Sequence, residues 1–509
     1  MTYDSHLSFI KTIAAQSPNQ LLFKLPILES SEPNSEGHTI PGRKNITYSQ
    51  FLSDVERLAK YWLKVLGYSD GHNSTVGLWM AGMTYTDVVH LFSLMMAGFV
   101  PHILDLNFQV TDIVVDLFTE SQASAIICDP TAPTNVLIQS SFKVYTIMAL
   151  DKLVDKALDS TPLPTTIQEQ AGDDIIILYH TSGSTSERPK IVKHTRQWID
   201  INAKKSDTMP TVPDGKEVAL RLSTFSHTSQ FLFAQTSSIL NQILRAATTN
   251  PELELTLKSL KFIVHTGTSI GEEESKWAIK HGIPLRDLLG STETGFLMSS
   301  LTNNTILYPL QLPGTEYEFW PVDGTRVGLT RSGLYKLELV VPRVSVDCPQ
   351  PSSCEPGGGH YRTKDLFEEV HPGAYQYLCR VDDMIKMENA SICDTRYIEN
   401  QVSNTCKDLI SRCVVVGSNR PSPVLLVEPL LDDIDKTKLK EEIGEKVQLI
   451  NKNSYSHERI DPSHILIVQR GGLPWTLTKN NIRRSAAEDV FKEDIDRFFS
   501  LKTSIGLKK

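Results

Sequence analysis

Four short apolar runs, VGLWM (76–80), AIIC (125–128), IIILY (175–179) and KFIVH (261–265), constrain this chain more than any other feature. Each is flanked by helical or turn-rich sequence. A strand buried on both faces reads as an unbroken apolar run, and its alternation with helices predicts a parallel sheet in an α/β body through about residue 300. Between Gln50 and Leu66, Phe51, Val55, Leu58, Ala59, Trp62, Leu63 and Leu66 recur with helical spacing. Ser49 is expected to cap that helix and Gly67 to end it. The stretch from Val88 to Val100, interrupted by His90 and Ser93 and followed by Pro101, is too short to span a bilayer and predicts a buried helix. From Tyr308 to Val341 the pattern alternates, as in YEFWPV and LYKLELVV, which predicts a sheet or barrel subdomain.

After Arg380 the character changes. Strands at CVVV (413–416), VLLV (424–427) and ILIV (465–468), with a charged helix around 436–449, predict a compact α+β domain. We therefore expect two parts: a core of residues 1–380, built from two α/β subdomains and a β-rich one, and a small domain of residues 381–509. The tail SLKTSIGLKK is expected to be a frayed end or a linker. A chain of 509 residues also exceeds the roughly 100–200 residues of one domain.

A net charge of -9 should repel nucleic acid and acidic membranes, so neither is expected as a partner. The seven cysteines are thinly spread with no CxxC pair, which suits free thiols in a reducing compartment. The first residues lack the basic start and apolar core of a signal peptide. A cytoplasmic protein is expected.

The strongest chemical signal is HTSGSTSERPK (180–190), directly after the IIILY run. Thr181, Ser182, Gly183, Ser184 and Thr185 let backbone N–H and side-chain O–H groups converge on an anion, and Lys190 adds a full charge. This is not the Walker spacing. Further segments follow in order. GSTETG (290–295) sets Thr292 beside Glu293, a hydroxyl for phosphate and a carboxylate for phosphate-bound Mg²⁺. YRTKDLF (361–367) carries Asp365, a carboxylate able to accept ribose hydroxyls. The segment 379–400 carries Arg380, Asp382, Asp383 and Lys386, and LPWTLTKNNIRR (473–484) carries Lys479. Each alone could be a turn or surface residue; their order is what carries the argument.

That order resembles the superfamily of acyl-CoA synthetases, luciferases and nonribosomal-peptide adenylation domains. Within it, the His preceding TSGST and the spacing of IKMENASICDTRYIE resemble the adenylation domains of fungal nonribosomal-peptide-synthetase-like carboxylic acid reductases. The resemblance implies the adenylate-forming fold and ATP-dependent activation of a carboxylic acid to an acyl-adenylate. It implies that Thr181 to Lys190 hold the β- and γ-phosphates, and that Gly267, Thr268 and Ser269 line the adenine pocket. Gly290 and Ser291 would carry Thr292 to the α-phosphate and Glu293 to Mg²⁺. Asp365 and Arg380 would bind ribose, with Lys386 beside the nucleotide. His227, in STFSHTSQ, would border the acid, and Lys479 would bridge the acid and the α-phosphate. Asp382 or Asp383 would mark a hinge for the small domain. A carrier-protein thiol or CoA would be the acceptor.

The chain departs from the family pattern at several positions. Ser186-Glu187-Arg188 replaces a loop glycine and adds a residue, Leu289 stands where an aromatic residue is usual, and Lys364 and Ala390 replace glycines. After Thr476, Lys479 is three residues on, where the family has its lysine two or four on. The stretch from His227 to Gly267 is short. STFSHTSQFLFAQ contains no acidic residue to pair with an α-amino group, which points to an aryl, keto or other acid without one.

Overall fold

The computed structural model describes residues 6–27, 42–67, 74–106, 110–153, 161–164, 172–181, 189–207, 235–267, 270–322, 334, 336–355, 357, 359–389, 391–452, 454–475 and 482–505. They divide into two compact units. The first comprises the described residues of Met1–Thr181, Arg188–Glu316 and Pro342–Tyr361; the second, those of Tyr317–Val341 and Arg362–Lys509.

In the first unit the apolar runs are strands. The six-stranded sheet has the order Val144–Thr146, Ala125–Cys128, Thr75–Met80, Val100–Asp105, Ile175–His180, Ile191–Thr195. Its first five strands are parallel and the last pairs antiparallel with its neighbour. The central strands are buried along almost their whole length, which is why they lack polar alternation. The helix Tyr48–Leu66 buries Phe51, Val55, Leu58, Ala59, Trp62 and Leu63. Its cap is Thr47, whose hydroxyl accepts from the Gln50 N–H at 3.2 Å, and not the expected Ser49. The buried helix expected from Val88 runs instead over Tyr85–Met96, started by a Thr84–Asp87 capping box. It stops early because Gly98 turns the chain at φ +86° and Val100 opens the next strand.

A second sheet of this unit holds Gln235–Thr236, Ile263–Thr266, Leu285–Ser291, Gly295–Ser300 and Ile306–Pro309 in that order. The first three strands are parallel and the remainder antiparallel. In both sheets the segments singled out for chemistry leave from the carboxyl ends of parallel strands, where open α/β sheets bind ligands.

The second unit contains the strands Glu318–Pro321 and Ala374–Arg380 and most of Leu337–Pro342 and His360–His371, so the alternating region is a sheet. It also contains a hairpin, Met384–Lys386 with Ile392–Asp394, and a three-stranded sheet, Ile410–Val416, Val424–Pro429 and Ile465–Ile467. The helices Thr395–Thr405 and Lys436–Asn451 cover one face of the latter through Ile398, Val402, Leu439, Ile443 and Val447. The other face packs against Ala487 and Ile495. The tail, expected to be a frayed end or a linker, is helical through Ile505 in the segment Lys492–Ile505; residues 506–509 lie outside the described residues. Among the described residues no helix is long and apolar enough to cross a membrane.

Candidate active site

The strand Ile175–His180 runs antiparallel to Ile191–Thr195, with His180 opposite Ile191. The neck of the segment between them is tied twice. The Thr181 N–H donates to the Lys190 carbonyl at 2.9 Å, and the Lys190 N–H donates to the Thr181 hydroxyl at 3.1 Å. Ser182, Gly183, Ser184 and Thr185 lie outside the described residues, as do Thr268, Ser269, His227 and Lys479. The structure thus brings Thr181 and Lys190 together at the base of the predicted phosphate loop. Gly267 leaves its strand at φ +99°, a left-handed conformation that glycine adopts without steric cost.

The turn GSTETG joins the strands Leu285–Ser291 and Gly295–Ser300, with Ser291 opposite Gly295. It is too tight for a side chain at Gly290: a Cβ there would lie 2.3 Å from the Gly295 carbonyl oxygen. The Thr294 N–H donates to the Ser291 hydroxyl at 3.2 Å, closing the turn. Thr292 is buried, and Glu293 is half-buried beside it.

What holds this turn was not visible in the motifs. The helix Arg196–Asp207 supplies two polar side chains to its exit strand. Asn202 accepts from the Phe296 N–H at 2.8 Å through its side-chain oxygen and donates its amide to the Trp198 carbonyl at 2.9 Å. Gly295, at φ +70°, has no room for a Cβ, which would meet that Asn202 oxygen at 2.2 Å. Lys205 donates to the Phe296 carbonyl and to Asp347, both at 2.6 Å, and the two ionic side chains are 0% exposed. Burial lowers the Lys205 pKa and Asp347 opposes this. His194 stacks on Trp198 at 3.7 Å. Its burial pushes its pKa down to about 3, against the pull of a hydrogen bond with the Thr292 backbone. Asn202, Lys205, Asp347 and His194 therefore hold the turn carrying Thr292 and Glu293 from beneath.

In the second unit, strand register sets Asp365 opposite Arg380. The guanidinium donates to Asp365 at 3.4 Å and to Asp382 at 3.2 Å, and Lys364 donates to Asp382 at 3.3 Å. Burial alone would lower the Arg380 pKa, but Asp365 and Asp382 raise it above its ordinary value. Burial also raises the Tyr377 phenol, as do the nearby Asp365 and Asp383. Lys364, the residue in a glycine position, sits at φ +64°. The left-handed backbone is retained without the residue that usually permits it.

Arg380 holds both adjacent acids, Asp382 through its guanidinium and Asp383 through its backbone N–H at 3.4 Å, and each acid has further partners. Asp382 faces Lys364 and Arg380, whereas Asp383 receives Arg484 at 3.4 Å and, through its carbonyl, the Thr395 hydroxyl. Arg484 is bound further by Glu399 and by the Val415 carbonyl. Lys386 is exposed at the end of its strand, its carbonyl accepting from the Asn419 N–H at 2.7 Å. The neck of the segment carrying Lys479 is described: Trp475 bridges Ile482, the Arg483 N–H donates to the Pro474 carbonyl at 2.9 Å, and the Arg412 guanidinium lies 3.5 Å from the Trp475 ring centre.

Each unit therefore orders some of the residues singled out in the sequence, Thr181, Lys190, Thr292 and Glu293 in the first and Asp365 and Arg380 in the second. The chain belongs to the AMP-binding, adenylate-forming enzyme family: residues 32–236 match "AMP-binding enzyme" and residues 382–502 match "AMP-binding enzyme C-terminal domain". It is similar to the AMP-binding domain-containing enzyme iboA of Amanita muscaria, at 27% identity over 93% of this chain and 99% of that protein. It is also similar to a carboxylic acid reductase of Neurospora crassa, at 20% identity over 97% of this chain, which spans 50% of that protein. Among solved structures, the A domain of carboxylic acid reductase from Segniliparus rugosus, in complex with AMP and a co-purified carboxylic acid, superposes with a TM-score of 0.72 at 13% identity, covering 98% of this chain and 95% of that one. The fold is that of adenylation domains, a large α/β body with a small C-terminal domain.

Proposed function

We propose that this protein activates a carboxylic acid with ATP, forming an acyl-adenylate and releasing pyrophosphate. The observation that carries this reading is the frame under GSTETG, where Asn202 and Lys205 grip both backbone groups of Phe296. A carboxylate is a weak nucleophile that repels a triphosphate, so catalysis rests on fixed charge and fixed position. A turn held from below meets that need without reorganising during reaction.

In this reading Thr181 to Lys190 bind the β- and γ-phosphates, and Gly267, Thr268 and Ser269 line the adenine site. Gly290 and Ser291 shape the turn that offers Thr292 to the α-phosphate. Asp365 and Arg380 bind the ribose, with Lys386 near the nucleotide. Glu293 offers one carboxylate, a donor set that fits Mg²⁺ carried on a substrate's phosphates. The ion would supply charge neutralisation as pyrophosphate leaves. His227 borders the acid, and Lys479 bridges the acid and the α-phosphate.

The two domains are assigned to residues 1–380 and 381–509, with the small one rotating after adenylation. Asp382 or Asp383 is assigned as the hinge on which the small domain turns. The substrate is assigned to acids without an α-amino group, aryl or keto acids included, and the acceptor to a carrier-protein thiol, with CoA as the alternative.

Acid-dependent ATP–pyrophosphate exchange across a panel of acids tests the reading. Exchange with at least one acid is expected; silence across the panel in a folded sample would overturn it. The Ser186-Glu187-Arg188 insertion motivates a second reading, nucleotide binding without turnover. A thermal shift with ATP and Mg²⁺ but no exchange would select it.

A further inference from the structure

We propose that Cys348 and Cys354 are a reversible dithiol–disulfide pair, a modification site on the loop CPQPSSC of the first unit. Their sulfurs lie 3.6 Å apart. Closure by about 1.5 Å would bring them to disulfide bonding distance. Both are half-buried, whereas Cys128, Cys379, Cys393, Cys406 and Cys413 are buried, and all seven are free thiols. Thiols enclosed in apolar surroundings are inert, so access selects this pair.

The loop is held by hydrogen bonds that keep the two sulfurs adjacent. The Ser353 N–H donates to the Gln350 carbonyl at 2.8 Å and the Cys354 N–H to the Pro351 carbonyl at 3.1 Å. Arg343 donates to the Pro349 carbonyl at 3.0 Å. Pro349 and Pro351 restrict the backbone between the sulfurs. On the Cys348 side the chain is anchored, since Cys348 directly follows Asp347 of the buried Lys205 pair and its N–H donates to the Ser345 carbonyl at 3.0 Å.

The two thiols have different roles. Burial and then the Cys354 sulfur push the Cys348 thiol up to about 11, against the opposing Arg343 guanidinium. The Cys354 sulfur, giving its proton to solvent, attacks a small-molecule disulfide such as oxidised glutathione, and one glutathione leaves as its thiolate. Cys348, having released its proton to solvent, then attacks the Cys354 sulfur of the mixed disulfide and expels the second glutathione. Two protein thiols are oxidised and one external disulfide is reduced to two thiols. The proposal is independent of the acid-activating reading.

The sequence supplies a clean assay, because both cysteines fall in one tryptic peptide, residues 344–362, which contains no other cysteine. The full-length protein is equilibrated in glutathione buffers of decreasing reduced-to-oxidised ratio, alkylated, digested and weighed. The expected result is that this peptide loses two hydrogens, resists alkylation at both positions, carries no glutathione and reverts with dithiothreitol. Cys348→Ser should trap glutathione on Cys354. Two free, alkylatable thiols at the most oxidising ratio would overturn the proposal. So would a persisting glutathione adduct on the unmutated peptide, or pairing to one of the other five cysteines.

Discussion

Replacing Lys205 with methionine removes an ammonium that is fully enclosed with Asp347 and that also holds the Phe296 carbonyl. Methionine keeps most of the length of the side chain, so the loss is chiefly electrostatic. Breaking a buried pair leaves an uncompensated charge, at a cost of about 3–5 kcal/mol. The companion variant Lys205→Met/Asp347→Leu removes that stranded charge. It should retain only the cost of the orphaned Phe296 carbonyl, about 1–3 kcal/mol. The double variant is therefore expected to be more stable than the single Lys205→Met, although it carries one more substitution. Urea unfolding followed by tryptophan fluorescence reads this directly, since Trp62, Trp79 and Trp198 are all buried in the same unit as the pair. A loss below about 1 kcal/mol in Lys205→Met, or a double variant that loses the sum of the two single costs, would refute the argument.

Asn202→Ala strands the buried Phe296 N–H, which should cost about 1–3 kcal/mol in urea unfolding and, by loosening the turn, lower pyrophosphate exchange about a hundredfold. Glu293→Gln should leave the urea midpoint unchanged while lowering exchange on the order of a hundredfold and weakening its response to Mg²⁺; unchanged exchange would remove Glu293 from the site. Lys364→Gly relieves a left-handed conformation worth about 1–2 kcal/mol and gives up a half-exposed ion pair worth about 0–1 kcal/mol, so it should be neutral or slightly stabilising, and a clear destabilisation in urea would contradict this. Burial lowers His90 to about 4 and His102 and His194 to about 3, below the roughly 6.5 of an unfolded chain; the stability they contribute is present above that value and lost as pH falls toward 3–4, so His102→Gln should show a shallower fall in urea midpoint on acidification than the parent.

The sheets were legible because a strand buried on both faces cannot hide its composition: Thr75–Met80 and Ala125–Cys128 fall where the apolar runs do. The turn GSTETG was legible because contiguous residues form it. The frame behind it was not. Lys205 sits beside Lys204 in an ordinary-looking polar helix, and its partner is 142 positions away. Nothing local distinguishes the enclosed lysine from its half-buried neighbour; only the path of the chain does. Asp365 and Arg380 pose the same difficulty at shorter range, since their pairing depends on a strand register that includes an irregularity at Leu366–Phe367. Lys364 shows what such register can impose. A lysine would be read as a residue that forbids the turn, yet the backbone stays left-handed, held by the Asp365 N–H bond to the Thr363 hydroxyl at 3.1 Å and by the strand pairing that follows. Strain of about 1–2 kcal/mol at one residue is small against the paired strands on its flank. The left-handed turn before Asp365 therefore persists without a glycine.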